Sequence, residues 1–303
     1  MRDSVPITNR GTSTRGQLAL ESAPLKTTPL GRCLSNEIKN GDCLDVLPTF
    51  PSQSVDFVLT DPPYLVHYRD RDGRTVANDD KASWLIPAFS EIYRVLKSHR
   101  FCVSFYGWSK VDQFFAAWRQ AGFRPVAHLV WTKQYASRQR FVGYHHEQAY
   151  LLAKGSPVEP AIALGDVLRW KYTENRLHPT EKPVSGLVPL VQVFSRPGEV
   201  VLDPFCGSGS TLVAAHQLGR RYLGIELDAK YCAVAKQRLR SKGFMVDLDL
   251  WTESNIIGPL ELVALDTNAS NRKDRQRAVD EVKSAIRTKV LESFRNGRKR
   301  IGA

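Results

Sequence analysis

No uninterrupted apolar run in this chain approaches the ~20 residues that a membrane-spanning helix needs, which excludes a transmembrane reading. The opening residues, MRDSVPITNRGTSTRGQLALESAP, lack the apolar stretch of a secretory signal and argue against export. Cysteine is scarce: Cys33, Cys43, Cys102, Cys206 and Cys232 make five, and none form a CxxC pair. So odd and scattered a set fits a reduced, cytoplasmic protein better than a disulfide scaffold or a cysteine zinc site. Also missing are a GxGxxG fingerprint and a GxxxxGKS/T phosphate loop, so dinucleotide oxidoreduction and NTP hydrolysis lose ground. His145-His146-Glu147 does not have the HExxH spacing of a zinc protease. Cross-strand polar contacts or DNA-backbone contacts are the expected use of these three residues, and no metal is expected.

What the chain has is size and positive charge. Its 303 residues, 42% hydrophobic and 24% charged, can bury a sizeable core. Lys and Arg number 43 against 31 Asp and Glu, a net charge of +12. Such an excess favours a polyanionic partner, because each neutralised phosphate releases counterions. A well-solvated basic protein is the alternative that charge alone leaves open.

Residues 1–33 are rich in Ser, Thr, Pro, Gly and Arg without a sustained period and read as a flexible arm. Residues 34–241 have the rhythm of an α/β domain. VDFVLT (Val55 to Thr60) is near-continuously apolar, as buried parallel strands are. Ser83 to Lys97 has the spacing of an amphipathic helix; RFCVSFYGW reads as a strand, and VDQFFAAWRQAGF as a helix closed by Gly122. PVAHLVWTK and HHEQAYLLAKG read as two more strands, an antiparallel pair being one option. EVVLDPF, STLVAAHQLG and RRYLGIEL form a strand–helix–strand unit, followed by the helix DAKYCAVAKQRLRS. Residues 242–303 are an extension whose last 33 residues hold eleven Lys or Arg against four Asp or Glu, with an apolar stripe at helical spacing.

Two segments carry chemistry. Asp203-Pro-Phe-Cys-Gly-Ser-Gly-Ser-Thr211 lies at a strand-to-helix turn, where Gly207 and Gly209 would let the backbone approach a ligand closely. Glu226 ends the next strand, positioned to accept hydrogen bonds from ribose hydroxyls. This combination favours a nucleotide-like cofactor over a simple tight loop. Asp61-Pro-Pro-Tyr64 directly follows a buried strand, in the crevice where open α/β sheets bind ligands. It offers a carboxylate, a rigidly aimed carbonyl and an aromatic face. That set suits a planar base with an exocyclic amino group.

TDPPY and DPFCGSGST together resemble the S-adenosylmethionine-dependent amino methyltransferases of DNA. DPPY preceding the glycine-rich motif, with HPTEKP (His178 to Pro183) just upstream of the latter, resembles the permuted beta group of that family. The likeness covers roughly Glu37 to Leu239. It implies a Rossmann-like mixed, mostly parallel sheet with helices on both faces. It also implies that S-adenosylmethionine meets Asp203, Phe205, Cys206, Gly207 and Gly209, its ribose Glu226, its adenine Asp42, and its methionine end His178, Thr180 and Lys182. Asp61, Pro62, Pro63 and Tyr64 are then the catalytic tetrapeptide. The implied activity is site-specific methylation of adenine N6 in double-stranded DNA, by direct transfer to a flipped-out base. Cytosine-N4 methylation, RNA adenine methylation and a catalytically idle DNA-binding regulator are the alternatives. Cytosine C5 chemistry needs the family's Pro-Cys nucleophile, and no Pro-Cys occurs.

For DNA contact the sequence offers the basic loop after DPPY, with Arg69 and Arg71, read as mobile and able to close over a flipped nucleotide. The short interval 156–177, with Arg169 and Lys171, is where the resemblance places a target-recognition insert. The cluster Arg298, Lys299 and Arg300 in the tail is a further DNA-contact candidate. A homodimer is an option for the apolar stripe of the tail. Restriction would require a separate endonuclease, since no nuclease segment is recognisable.

Overall fold

The computed structural model describes residues 36–241 apart from 70–72, 139–140, 161–163 and 171–176. The expected N-terminal arm, the C-terminal extension with Arg298, Lys299 and Arg300, and the DNA-contact candidates Arg71 and Lys171 lie outside the described residues.

In chain order the elements are β1 (Glu37–Asn40), α1 (Cys43–Val46), β2 (Phe57–Thr60), α2 (Leu85–Val95), β3 (Arg100–Phe105) and α3 (Val111–Ala121). Then follow β4 (Arg124–Arg138), β5 (Gly143–Lys154), β6 (Val167–Trp170), α4 (Val184–Phe194), β7 (Val200–Asp203), α5 (Ser210–Gln217), β8 (Arg221–Glu226) and α6 (Ala229–Ser241). Among the described residues the strands form one sheet in the order β1-β8-β7-β2-β3-β5-β4-β6. It is parallel from β1 to β3, β5 is antiparallel to both β3 and β4, and β6 runs parallel to β4. This is the mixed, mostly parallel sheet expected from the sequence.

The alternation of side chains along each strand divides the core into two layers. Val58, Cys102, Leu202 and Leu223 meet α2 and α3 on one face. Phe57, Leu59, Val103 and Val201 meet α4 and α5 on the other. In α2 the buried positions Leu85, Ala88, Phe89, Ile92 and Val95 make the apolar stripe that the sequence spacing predicts. α3 ends at Gly122 in the left-handed region (φ 103°), where the Gly122 and Phe123 amides donate to Arg119 and Trp118 carbonyls. No helix among the described residues is long and apolar enough to cross a membrane.

β1, α1 and α4 have no counterpart in the sequence reading, α4 because Pro183 and the internal Pro189 disguise a helix. Within the interval 156–177, where a target-recognition insert is expected, Val167–Trp170 form β6, the edge strand beside β4.

The topology matters for one reason. β2 and β7 are far apart in the chain yet hydrogen-bonded neighbours, so the two chemically informative segments emerge side by side at the carboxyl edge of the sheet.

Candidate active site

One concave cavity lies at the carboxyl ends of β1, β2, β7 and β8, and both motifs line it. Its β7 side is built around the glycine-rich turn. Asp203 ends β7, is 3% exposed, and accepts hydrogen bonds from Thr60 Oγ1 (3.0 Å) and the Phe205 amide (3.1 Å). It therefore ties β2 to the turn, so it is part of the frame as well as of the cavity wall. Glu226 accepts from the Gly207 amide (2.7 Å, Oε2) and the Asp228 amide (2.8 Å, Oε1), fastening the turn to the end of β8. Each oxygen retains a second lone pair for a hydroxyl donor. Burial raises the Glu226 carboxyl above its usual value.

Gly207 has φ +51°, and a Cβ there would stand 3.4 Å from the His178 ring at the cavity wall. Gly209 differs from the expectation. It does not line the cavity; it has φ +83°, and a Cβ there would stand 2.9 Å from Ala235 Cβ. Its lack of a side chain lets α5 start against α6. Asp42 lines the cavity and caps α1 by accepting from the Leu44 amide (2.9 Å). Cys206 is buried in the same wall, and burial holds its thiol well above the ordinary value, so it carries no thiolate.

His178 accepts through Nδ1 from the Thr180 amide (3.2 Å) and packs edge-on against Tyr231 at 4.3 Å. Burial, reinforced by the Lys182 and Arg74 charges, lowers its pKa to about 4, so the ring is neutral. Phe205 and Trp84 form an aromatic wall, with ring centroids 5.1 Å apart. Trp84 and Tyr231 were not singled out from the sequence, because an aromatic inside a helical apolar pattern looks like core.

The β2 side carries Asp61-Pro-Pro-Tyr64. Tyr64 donates its hydroxyl to Asp61 Oδ1 (2.8 Å), while Lys182 Nζ pairs with Asp61 Oδ2 (2.8 Å). Both carboxylate oxygens thus have donors. Lys182 is 9% exposed and its ammonium lies 5.2 Å from the ring centres of both Tyr64 and Phe105. Burial raises the Asp61 carboxyl and Lys182 opposes that rise; the carboxylate in turn raises the lysine against its own desolvation. The sequence reading placed Lys182 at the cofactor. It does line the cavity, but its charge is directed at Asp61. Behind this pair, Glu147 on β5 makes a second ion pair with Lys133 on β4 (2.7 Å), the cross-strand contact expected for that segment.

Two further residues shape the tetrapeptide. Asp79, 3% exposed, accepts from the Leu65 (2.7 Å) and Tyr68 (2.6 Å) amides and so anchors the loop read from sequence as mobile. Leu65, His67 and Asn78 in that loop adopt positive φ, a backbone strain that clusters at the site. Gly107, after β3, approaches Tyr64 so closely that a Cβ would stand 2.5 Å from its carbonyl oxygen and 2.9 Å from its Cβ. A lone glycine after a strand is the signal that could have identified it. Replacing Gly107 with Ala is expected to displace Tyr64 and lower turnover about 10²-fold, with cofactor affinity unchanged, as single-turnover rates and calorimetric titration would read.

Asp203 supplies a pH signature. Burial outweighs its amide and hydroxyl donors and raises its pKa from 3.8 to about 7. The folded chain then keeps a proton that the unfolded chain releases, so this group's stabilisation is complete below about pH 4 and is lost as pH rises through 7. Asp203→Asn keeps the acceptor and removes the titration. Its melting temperature relative to wild type is expected to rise from pH 5 to pH 8, and an unchanged difference would contradict the shift.

Of the DNA-contact candidates that are described, Arg69 is exposed on the loop after the tetrapeptide and Arg169 is exposed on β6.

The N6/N4 methyltransferase family model, described as DNA methylase, matches residues 55–237. YubD of Escherichia coli (strain K12), a candidate methylase, is 60% identical over 199 residues, 66% of this chain and 88% of its own length. The type II methyltransferase M.HinfI of Haemophilus influenzae is 27% identical over 248 residues, 68% of each chain. Among solved structures, TTHA0409 of Thermus thermophilus, a candidate DNA modification methylase, matches with a TM-score of 0.56 at 26% identity. That match covers 69% of this chain and 97% of the neighbour. A second structure of TTHA0409 is a complex with S-adenosyl-L-methionine. The cytosine-N4-specific PvuII DNA methyltransferase shares the fold, with a TM-score of 0.58 at 16% identity, covering 73% and 92%.

Proposed function

Since the chain belongs to the N6/N4 DNA methylase family, we propose that it transfers the methyl group of S-adenosylmethionine to the N6 amino group of adenine in DNA. The observation that carries the reading is the meeting of Asp61-Pro-Pro-Tyr64 and Phe205-Cys206-Gly207 in one cavity, brought about by the pairing of β2 with β7.

The cavity residues fit the cofactor: carboxylates on Glu226 and Asp42 for hydroxyl and amino donors, an aromatic wall of Trp84 and Phe205, and the space a side chain at Gly207 would fill. His178, neutral, and Thr180 line the same cavity as Asp61 and Lys182. When bound, S-adenosylmethionine would supply an electrophilic sulfonium methyl.

The chain's own residues act on the acceptor nitrogen. An exocyclic amino group is a poor nucleophile because its lone pair is conjugated with the ring. Asp61 and the Pro62 carbonyl accept its two hydrogens and so favour a pyramidal nitrogen with a localised lone pair. The incoming amino group replaces the Tyr64 hydroxyl at Asp61, which frees the Tyr64 ring to face the base, while Lys182 keeps the carboxylate ionised. Placement and preorganised charge provide the rate, without a covalent intermediate.

Adenine is favoured over cytosine because Asp, the residue associated with adenine in the resemblance, precedes Pro-Pro. Nucleoside mass spectrometry of DNA incubated with the chain and S-adenosylmethionine is the test. N6-methyladenine supports the proposal; N4-methylcytosine overturns the base assignment and leaves the chemistry in place.

A further inference from the structure

The β4–β5–β6 corner carries, on the face opposite Glu147, aromatic surface that the catalytic reading does not use. β5 pairs with β3 only as far as Ala149 opposite Phe105, so residues 143–148 extend past that strand, paired with β4 alone. Trp108, at the start of the turn between β3 and α3, packs against Tyr144 on this extension, with ring centroids 5.8 Å apart. Trp108 remains 59% exposed, and Phe141 (87%) and Val142 (56%) are further exposed apolar side chains at the hairpin end. Large aromatic surface left in water is informative where a scattered apolar residue is not.

Two neighbours indicate the occupant. Trp108 directly follows Gly107, whose backbone abuts Tyr64, so the ring pair starts one residue from a contact of the tetrapeptide. His146 shares the face of Tyr144 two residues on; it pairs with Thr132, which pairs in turn with Arg169, and all three are exposed. An aromatic plate with an exposed arginine two strands away on the same face matches a nucleotide, whose base has a π face and whose phosphate is anionic.

We propose that Trp108 and Tyr144 form a stacking platform for an unpaired base of the DNA substrate, with Arg169 holding the adjoining phosphate. This rests on the DNA-methylase reading. Taking a target base out of a duplex leaves neighbours unstacked, and a platform next to the catalytic tetrapeptide offsets that cost.

The test uses the full chain and a fluorescent single-stranded oligo(dT), with binding measured across a salt series. Trp108→Ala and Tyr144→Ala are expected to weaken binding about 5- to 100-fold, while Trp108→Phe retains most of it. The slope of log K against log salt should be unchanged in the aromatic variants and shallower by about 0.7 in Arg169→Ala, which loses a phosphate contact. Wild-type affinity in both alanine variants overturns the platform. So does an unchanged DNA affinity accompanied by a change in oligomeric state, which would make the patch a subunit interface. A wild-type chain that binds neither oligo(dT) nor duplex DNA overturns the DNA reading itself, a result distinguishable from loss of the platform alone.

Discussion

Asp61→Ala is expected to lower methyl transfer by at least about 10²–10³-fold and to lower the melting temperature with it. The first effect is the loss of a preorganised acceptor at the reacting nitrogen. The second follows from burial: Lys182 lies 2.8 Å from Asp61, and both side chains are largely enclosed. Removing one member of such a pair leaves an uncompensated charge, at a cost of about 3–5 kcal/mol where burial is complete and less for a carboxylate that still reaches the cavity. The double variant Asp61→Ala/Lys182→Met removes both charges, and it should recover much of the thermal stability and none of the activity. Steady-state assays and thermal unfolding separate the two effects. A single variant as stable as wild type would mean that the ion pair contributes nothing to the fold.

Lys182→Met leads to a different signature. Asp61 must be ionised to accept an amino hydrogen, so activity falls as pH drops through the carboxyl's pKa. Burial raises that pKa and the lysine charge pulls it back. Without Lys182 the acidic limb of the pH–rate profile should move to higher pH. Turnover near neutrality should fall about 10- to 100-fold, the equivalent of the ~1.5–3 kcal/mol of a charge-assisted hydrogen bond. Lys182→Arg should restore the limb at least in part, because it restores the charge. If the limb stays in place while affinity for S-adenosylmethionine falls, the lysine serves the cofactor, as its motif suggested, and the contact with Asp61 is incidental.

Other pairings adjust the same site from a distance in the chain. Asp79 holds two amides of the loop that follows Tyr64, and Gly107 makes room for the Tyr64 backbone. Neither stands out in a linear reading: an aspartate within Asn-Asp-Asp resembles a solvated turn, and one glycine after a strand resembles a loop start. Asp203 did stand out, but as a loop residue. The structure makes it a buried crosspiece between β2 and β7, so replacing it disturbs the frame as well as the cavity.

Local pattern was enough to determine the element types around the site. VDFVL and VVL read as buried strands because they are short and continuously apolar. The glycine-rich turn follows directly from a strand, and Gly122 closes a helix in the left-handed conformation that only glycine adopts cheaply. The motifs and their order were sufficient for the chemical class, since each needs only a few consecutive residues to present its carboxylate, carbonyl and ring. Tertiary structure decided which charges meet. That β2 lies beside β7, that Lys182 turns to Asp61, that Gly209 serves helix packing while Gly207 borders the cavity, and that Trp108 meets Tyr144 all depend on contacts between distant segments. Ion pairing and close packing act through space at ranges of a few ångströms. The fold, and not the spacing of residues along the chain, sets those distances.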